Sequence, residues 1–197
     1  MSRVDQLIAE LCPNGVEIKP LGSLCHSLKK GTLTQGQLIP DGQFPVMNSG
    51  RTFYGRFNEF NNEGNAIVIA SRGEYAGFVS FIEQPFWAGG LCYPYRSKDE
   101  KVILTKFIYY ILKSDEKFIM ESIVTRGSIP ALNKQDVDRI DIPCPPPPVQ
   151  EEIVRILDSF TELEAELEAE LEAELEARKK QFEFYRDKLL TFKELKA

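Results

Sequence analysis

Apolar positions along the 197-residue chain follow a helical period, then a strand period, then a helical period again. Val4, Leu7, Ile8 and Leu11 fall at i, i+3, i+4 and i+7, which predicts a short amphipathic helix over residues 4–11 that ends at Pro13-Asn14-Gly15. Glu17-Ile18-Lys19 reads as a short extended piece, and residues 21–28 read as either helix or loop leading into Lys29-Lys30-Gly31. The pattern then shortens. Phe44-Pro45-Val46-Met47, Thr52-Phe53-Tyr54, Ala66-Ile67-Val68-Ile69-Ala70 and residues 77–82 are short apolar or alternating runs punctuated by Gly, Asn and Ser, as expected of a compact, irregular sheet. Phe107, Ile108, Ile111 and Leu112 mark one face of a helix over residues 104–113, and residues 115–124 predict another. A short helical turn is expected at 133–137, and Ile140-Asp141-Ile142 is a strand-length alternation stopped by the prolines that follow. From Val149 to about Leu195 the pattern is helical, which at about 1.5 Å per residue is on the order of 65 to 70 Å of helix. The expected fold is therefore α+β, with a β-rich domain at residues 1–148 and a long helix at 149–197.

The helix contains a repeat. Residues 163–177 read LEAELEAELEAELEA, a four-residue unit of strong helix formers without Gly, Pro or a β-branched residue. Leu163, Leu167, Leu171 and Leu175 recur every four residues, so each is displaced by about 40° around the axis from the one before. Ala165, Ala169, Ala173 and Ala177 form a second, smaller apolar track, and Glu fills the remaining positions. A single helix with that much uncompensated acid gains no i,i+4 pairs, which favours packing against another helix. Phe182, Tyr185, Leu189 and Phe192 continue an apolar face beyond the repeat.

Charge divides along the same boundaries. The formal net charge of -6 arises because residues 162–177 carry eight Glu and no base, whereas residues 1–150 balance at 16 acids and 16 bases. Residues 178–197 hold seven bases against three acids, so the acidic total argues neither for nor against nucleic-acid binding. Cys12, Cys25, Cys92 and Cys144 show no C-x-x-C spacing, and the single histidine, His26, lies beside Cys25, a poor metal signature that predicts reduced structural thiols. No apolar run reaches the roughly 18 residues of a membrane span, and the N-terminal residues lack the make-up of a signal peptide, so a cytoplasmic protein is expected.

Several segments carry a resemblance by their order along the chain. Leu11-Cys12-Pro13-Asn14-Gly15-Val16-Glu17 with Pro20-Leu21-Gly22 comes first, followed by Phe44-Pro45-Val46, Asn48-Ser49-Gly50, Ile69-Ala70-Ser71-Arg72-Gly73 and Gly77. Gly127-Ser128-Ile129-Pro130-Ala131-Leu132-Asn133, Ile140-Asp141-Ile142-Pro143, the proline run and Gln150 close the series. Together with the repeat, they make the chain resemble a type I restriction-modification specificity subunit. In that family a target recognition domain reads one half of a split DNA site, and long helices hold two such domains apart. Tetrapeptide repeats in those helices set the gap. This sequence carries one domain and one helix where the usual subunit has two of each, so it resembles a half-subunit. A second copy, pairing its repeat helix antiparallel as a coiled coil, would restore two domains about a two-fold axis and imply a palindromic, interrupted site.

The resemblance implies double-stranded DNA, a second copy of the chain, methyltransferase subunits and, where one is present, a restriction subunit as partners. S-adenosylmethionine would then belong to the methyltransferase, and ATP and Mg to the restriction subunit, with no cofactor or metal in this chain. Candidate DNA contacts lie in polar loops: Lys29 and Lys30, Asn48 with Arg51, Arg56, Arg72 with Tyr75, and Arg126 with Ser128 and Lys134. Tyr54, Tyr75, Trp87, Tyr93 and Tyr95 can stack on a base, although aromatic residues in a β-rich stretch are more often core. Leu163, Leu167, Leu171 and Leu175 are the expected dimerisation and spacer residues, and Phe182, Tyr185, Leu189 and Phe192 the expected docking face for a partner subunit.

Catalytic signatures are missing from the sequence. It has no phosphate-binding Gly-x-x-x-x-Gly-Lys-Ser/Thr loop and no Asn- or Asp-Pro-Pro-aromatic motif of amino-methyltransferases. Glu194-Leu195-Lys196 matches half of a nuclease motif without the preceding acidic strand, and His26 has no evident nucleophile partner. A non-catalytic recognition subunit is the leading expectation. A coiled-coil adaptor that binds protein is the alternative, and an autonomous enzyme the least supported.

Overall fold

The computed structural model describes residues 2–192. In chain order the elements are α1 (Arg3–Leu11), β1 (Glu17–Pro20), α2 (Leu21–Leu24), β2 (Cys25–Ser27), β3 (Phe44–Met47), β4 (Gly55–Phe57), β5 (Ala66–Ala70), β6 (Val79–Ile82), β7 (Trp87–Ala88) and β8 (Cys92–Ser97). They continue with α3 (Thr105–Ser114), α4 (Glu116–Phe118), α5 (Lys134–Asp138), β9 (Asp141–Cys144) and α6 (Pro147–Leu190). The chain divides into two compact units, one ending at Val154 and the other beginning at Arg155.

The first unit is organised around β5. A strand that is apolar at every position must be covered on both faces, and all five of its residues are buried. Ile67 and Ile69 face one way, into a core completed by Leu21, Tyr95, Phe107, Ile108, Leu112, Ile119 and Ile142. Ala66 and Val68 face the other way, packing with Met47, Ile82, Phe86, Ala88 and Cys92. β5 is central in a four-stranded sheet of order β2-β8-β5-β6, in which every pairing is antiparallel. A three-stranded sheet, β4-β3-β7, has β3 antiparallel to β4 and parallel to β7. β1 and β9 pair antiparallel and bring the early and late parts of the unit together.

The polar closures are as specific as the apolar ones. At α1 the Ser2 hydroxyl accepts from the Asp5 amide at 3.2 Å while the Asp5 carboxylate accepts from the Ser2 amide at 2.9 Å, a reciprocal capping box. Those bonds hold the Asp5 carboxyl below the usual range, the side-chain bond to Ser2 contributing most. Gln150, fully buried in the first turn of α6, accepts from the Leu104 amide at 2.9 Å and donates to the carbonyls of Val102 at 2.9 Å and Pro145 at 2.7 Å. It fastens the start of α6 to the start of α3.

Several details depart from the sequence pattern. The strand expected at residues 52–54 lies instead at Gly55–Phe57, where the absence of a Cβ at Gly55 admits the Leu38 side chain and at Gly42 the Phe57 backbone. β8, which pairs with both β2 and β5, carries two tyrosines, a proline and an arginine and so lacks an apolar alternation. The helix expected at 115–124 is α4 followed by one π turn, Ile119–Ile123. Residues 21–28 divide between α2 and β2, and α6 begins at Pro147, near the start of a helix, where the missing amide hydrogen costs nothing. Glu194, Leu195 and Lys196 lie outside the described residues.

In the second unit the helix carries its apolar residues uncovered. Leu163, Leu167, Leu171 and Leu175 are 55 to 59% exposed, and Phe182, Tyr185 and Leu189 are exposed too, as is Phe192 beyond the helix end. Arg178 pairs with Glu174 at 3.4 Å and Lys180 with Glu176 at 3.8 Å, all on the surface. Among the described residues no helix is long and apolar enough to cross a membrane.

Candidate nucleic-acid interface

Antiparallel pairing places the end of β2, the end of β5 and the starts of β6 and β8 at one edge of the large sheet. The ends of β3 and β7 are tied to the same edge by backbone bonds. Gly31 donates to the Ala88 carbonyl at 2.8 Å, Gly89 to Met47 at 2.7 Å and Ser71 to Leu91 at 2.9 Å. The segment after the π turn joins them: Gly73 donates to Pro130 at 3.0 Å, Leu132 to Ser71 at 2.9 Å, and Arg72 and Thr125 both bridge to Ala131. Loops fixed to one another by main-chain bonds present their side chains in a preset array, as groove reading requires.

Most of the sequence candidates meet on this edge. Lys29 and Lys30 are exposed just after β2; Lys30 donates to the Gly90 carbonyl at 2.9 Å and lies 4.9 Å above the Tyr93 ring. Two adjacent asparagines lock that segment. Asn62 accepts from the Lys29 amide at 3.1 Å and donates to its carbonyl at 2.8 Å, while Asn61 exchanges bonds of 2.7 and 3.0 Å with Ala88. Arg51 stacks 4.9 Å from the Tyr75 ring and 5.7 Å from the Phe78 ring, which holds an exposed guanidinium over an aromatic floor. Arg72 is exposed at the tip of the β5–β6 connection, which turns through Gly73 at φ +87° and Gly77 at φ +93°. At Gly77 an added Cβ would lie 2.9 Å from the Met120 side chain, so both φ and space demand glycine. Asn48 uses its Oδ1 to accept from the Leu91 amide at 2.9 Å, and so joins loops as well as facing the edge.

Four candidates stand differently. Arg56 donates through Nε to the Gly42 carbonyl and through Nη2 to the Gln43 carbonyl at 2.8 Å, at the opposite end of β3, where it closes a turn. Lys134 is paired with Asp138 at 2.6 Å and lies 5.4 Å from the Tyr95 ring, away from the loop edge. Arg126 and Ser128 are exposed on the joined segment, but Arg126 lines a groove with Glu74, Glu116, Glu121 and Lys117, where acid outnumbers base. Of the aromatic residues, Tyr95 is core: its hydroxyl donates to Asp138 at 2.8 Å, and burial raises its pKa far above the ordinary value, helped by that carboxylate. Tyr93 donates to the Leu132 carbonyl at 3.0 Å, and Trp87 packs edge-on against Phe57. Tyr54 is exposed on the 48–54 loop, beside Phe53, an exposed aromatic that the sequence pattern assigned to a strand.

Cys25 and Cys92 are buried, and desolvation pushes each thiol up to about 12. Among the described residues no group of three or more His, Cys, Asp and Glu is arranged to hold a metal ion.

Residues 13–177 match the family model described as type I restriction modification DNA specificity domain. The chain is 41% identical over 150 residues to a putative type I specificity subunit of Mycoplasma pneumoniae, covering 72% of this chain and 44% of the relative. It is 35% identical over 165 residues to the EcoR124I/EcoR124II specificity subunit of Escherichia coli, covering 76% of this chain and 38% of that one. A crystal structure of the type I restriction-modification S subunit from M. genitalium superposes with a TM-score of 0.65 at 27% identity, over 76% of this chain and 40% of that one. The chain belongs to the type I restriction-modification specificity family. It carries a single recognition-type domain and a single long helix, and spans less than half the length of these relatives.

Proposed function

We propose that the β-rich unit reads one half of a split DNA site through the loop edge described above, and that two copies, joined by antiparallel pairing of α6, read both halves. The observation that carries this reading is the convergence of Lys29, Lys30, Arg51 and Arg72 on one edge whose loops are cross-linked by backbone hydrogen bonds. Lysines held beside Gly31 and Gly90 suit phosphate contact, because the neighbouring backbone can approach closely. Arg51, Arg72 and the Asn48 amide are of the types that read guanine and adenine edges. Residues 1–148 act as the recognition domain and 149–197 as the spacer and dimerisation helix.

The chain carries no chemistry in this reading. It positions methyltransferase subunits, which bring S-adenosylmethionine, and a restriction subunit that uses ATP and Mg where one is present. Titrating the purified chain with duplex DNA at increasing salt tests the first half: affinity falling steeply with salt is expected, and salt-independent or absent binding, also in the presence of a methyltransferase subunit, favours a protein-binding adaptor instead.

A further inference from the structure

The exposed face of α6 has a two-fold pattern of its own. At 100° per residue, Leu157, Phe160, Glu164, Leu167, Leu171, Leu175, Arg178, Phe182, Tyr185 and Leu189 all lie within about 40° of the direction of Leu171, in line with Ile153, which is half-buried against the core of the first unit. Their spacings alternate four and three, as in a heptad seam, except that two fours meet at Leu171. Read outward from Leu171, the two halves mirror each other: Leu167 with Leu175, Phe160 with Phe182, Leu157 with Tyr185, Ile153 with Leu189. The two charged residues in the stripe, Glu164 and Arg178, are equidistant from Leu171 and opposite in sign.

We infer that the occupant of this face is α6 of a second copy, antiparallel, with the two-fold axis through Leu171, and that Glu164 of each copy pairs with Arg178 of the other inside the seam. This inference rests on the dimer proposed above and adds its register. In this register each apolar residue meets an apolar residue, and Lys180 comes opposite Glu162 on the flank. Sliding one helix by a heptad sets Arg178 against Leu171 and Glu164 against Tyr185, leaving desolvated charges without partners. A parallel pair stacks Glu164 on Glu164 and Arg178 on Arg178. The surface pair between Arg178 and Glu174 within one chain is long and exposed, so exchanging it for Glu164 loses little.

Two consequences follow. Leu163, about 80° from Leu171, flanks the seam, and Phe182, Tyr185 and Leu189 belong to self-pairing and not to a methyltransferase interface. A tetrapeptide added or removed at the centre leaves the two mirrored halves intact, so repeat number changes length without disturbing register. With the present number, the two Val154 residues lie about 50 Å apart along the paired axis.

Cysteine cross-linking in the full chain tests the register, with Cys12→Ser and Cys144→Ser removing the two partly exposed thiols. Under mild oxidation Leu171→Cys is expected to form a covalent dimer, and Leu163→Cys and Tyr185→Cys are not. Glu164→Arg and Arg178→Glu should each weaken the dimer on the order of 100-fold, and the double exchange E164R/R178E should restore it to within about 10-fold. A dimer that cross-links elsewhere, or a double exchange that fails to restore it, overturns the register while leaving dimerisation standing. A chain that light scattering shows to be monomeric removes the dimer itself.

Discussion

Lys30 and Arg56 carry the same charge and differ in everything that a DNA phosphate would feel. Lys30 projects from the loop edge over Tyr93, whereas Arg56 closes a turn through the carbonyls of Gly42 and Gln43. Lys30→Ala is therefore expected to weaken DNA binding across sequences and to lower the salt slope by about one, while Arg72→Ala should relax specificity at one position. Arg56→Ala should leave the slope unchanged and cost about 1–3 kcal/mol of stability, read as a urea midpoint, by stranding two carbonyls. The buried thiols add a pH prediction. Cys25 and Cys92 hold their protons to about 12 in the folded chain against 9.0 for an ordinary thiol, so the folded state binds protons that the unfolded state releases. Their contribution to stability should be flat below pH 9 and fall as pH rises from 9 towards 12, the reverse of an acid-labile pattern; a urea midpoint insensitive to that range would contradict the assignment.

At the scale of elements, Gln150 ties the start of α6 to the approach to α3 by holding Leu104, Val102 and Pro145 at once. Gln150→Ala should destabilise the recognition unit by about 3 kcal/mol, measured by denaturant titration, because three backbone groups lose their partner around a fully buried side chain. Removing residues 167–170 should shorten each copy of α6 by about 6 Å and the gap between half-sites by about two base pairs, with the half-sites unchanged. The elements legible in the sequence were those whose periodicity is set by burial on one side or on both: α1, β5, β6, α3 and the long helix. β8 was not legible because its buried residues are Cys92, Pro94, Tyr95 and Ser97, which make no alternation. Loop candidates were legible as residue types and not as a surface. Only long-range pairing separates Lys30 from Arg56, and the lock that Asn61 and Asn62 place between the Lys29 backbone and Ala88 left no mark in the sequence pattern.

The whole molecule joins a near-neutral recognition unit to a helix whose acidic centre and basic end follow one another along its length. In the proposed dimer that arrangement turns a feature that would only repel in isolation into a pairing device: acid and base on one helix would meet base and acid on its antiparallel twin. Two identical recognition edges about one axis would then read two identical half-sites in opposite orientation. The direct measurement is the methylation pattern of DNA from cells expressing this chain with an adenine methyltransferase subunit. Methylated adenines in a palindromic motif interrupted by an unspecified gap of fixed length are expected, and an asymmetric motif, or no methylation dependent on this chain, would contradict the symmetric dimer.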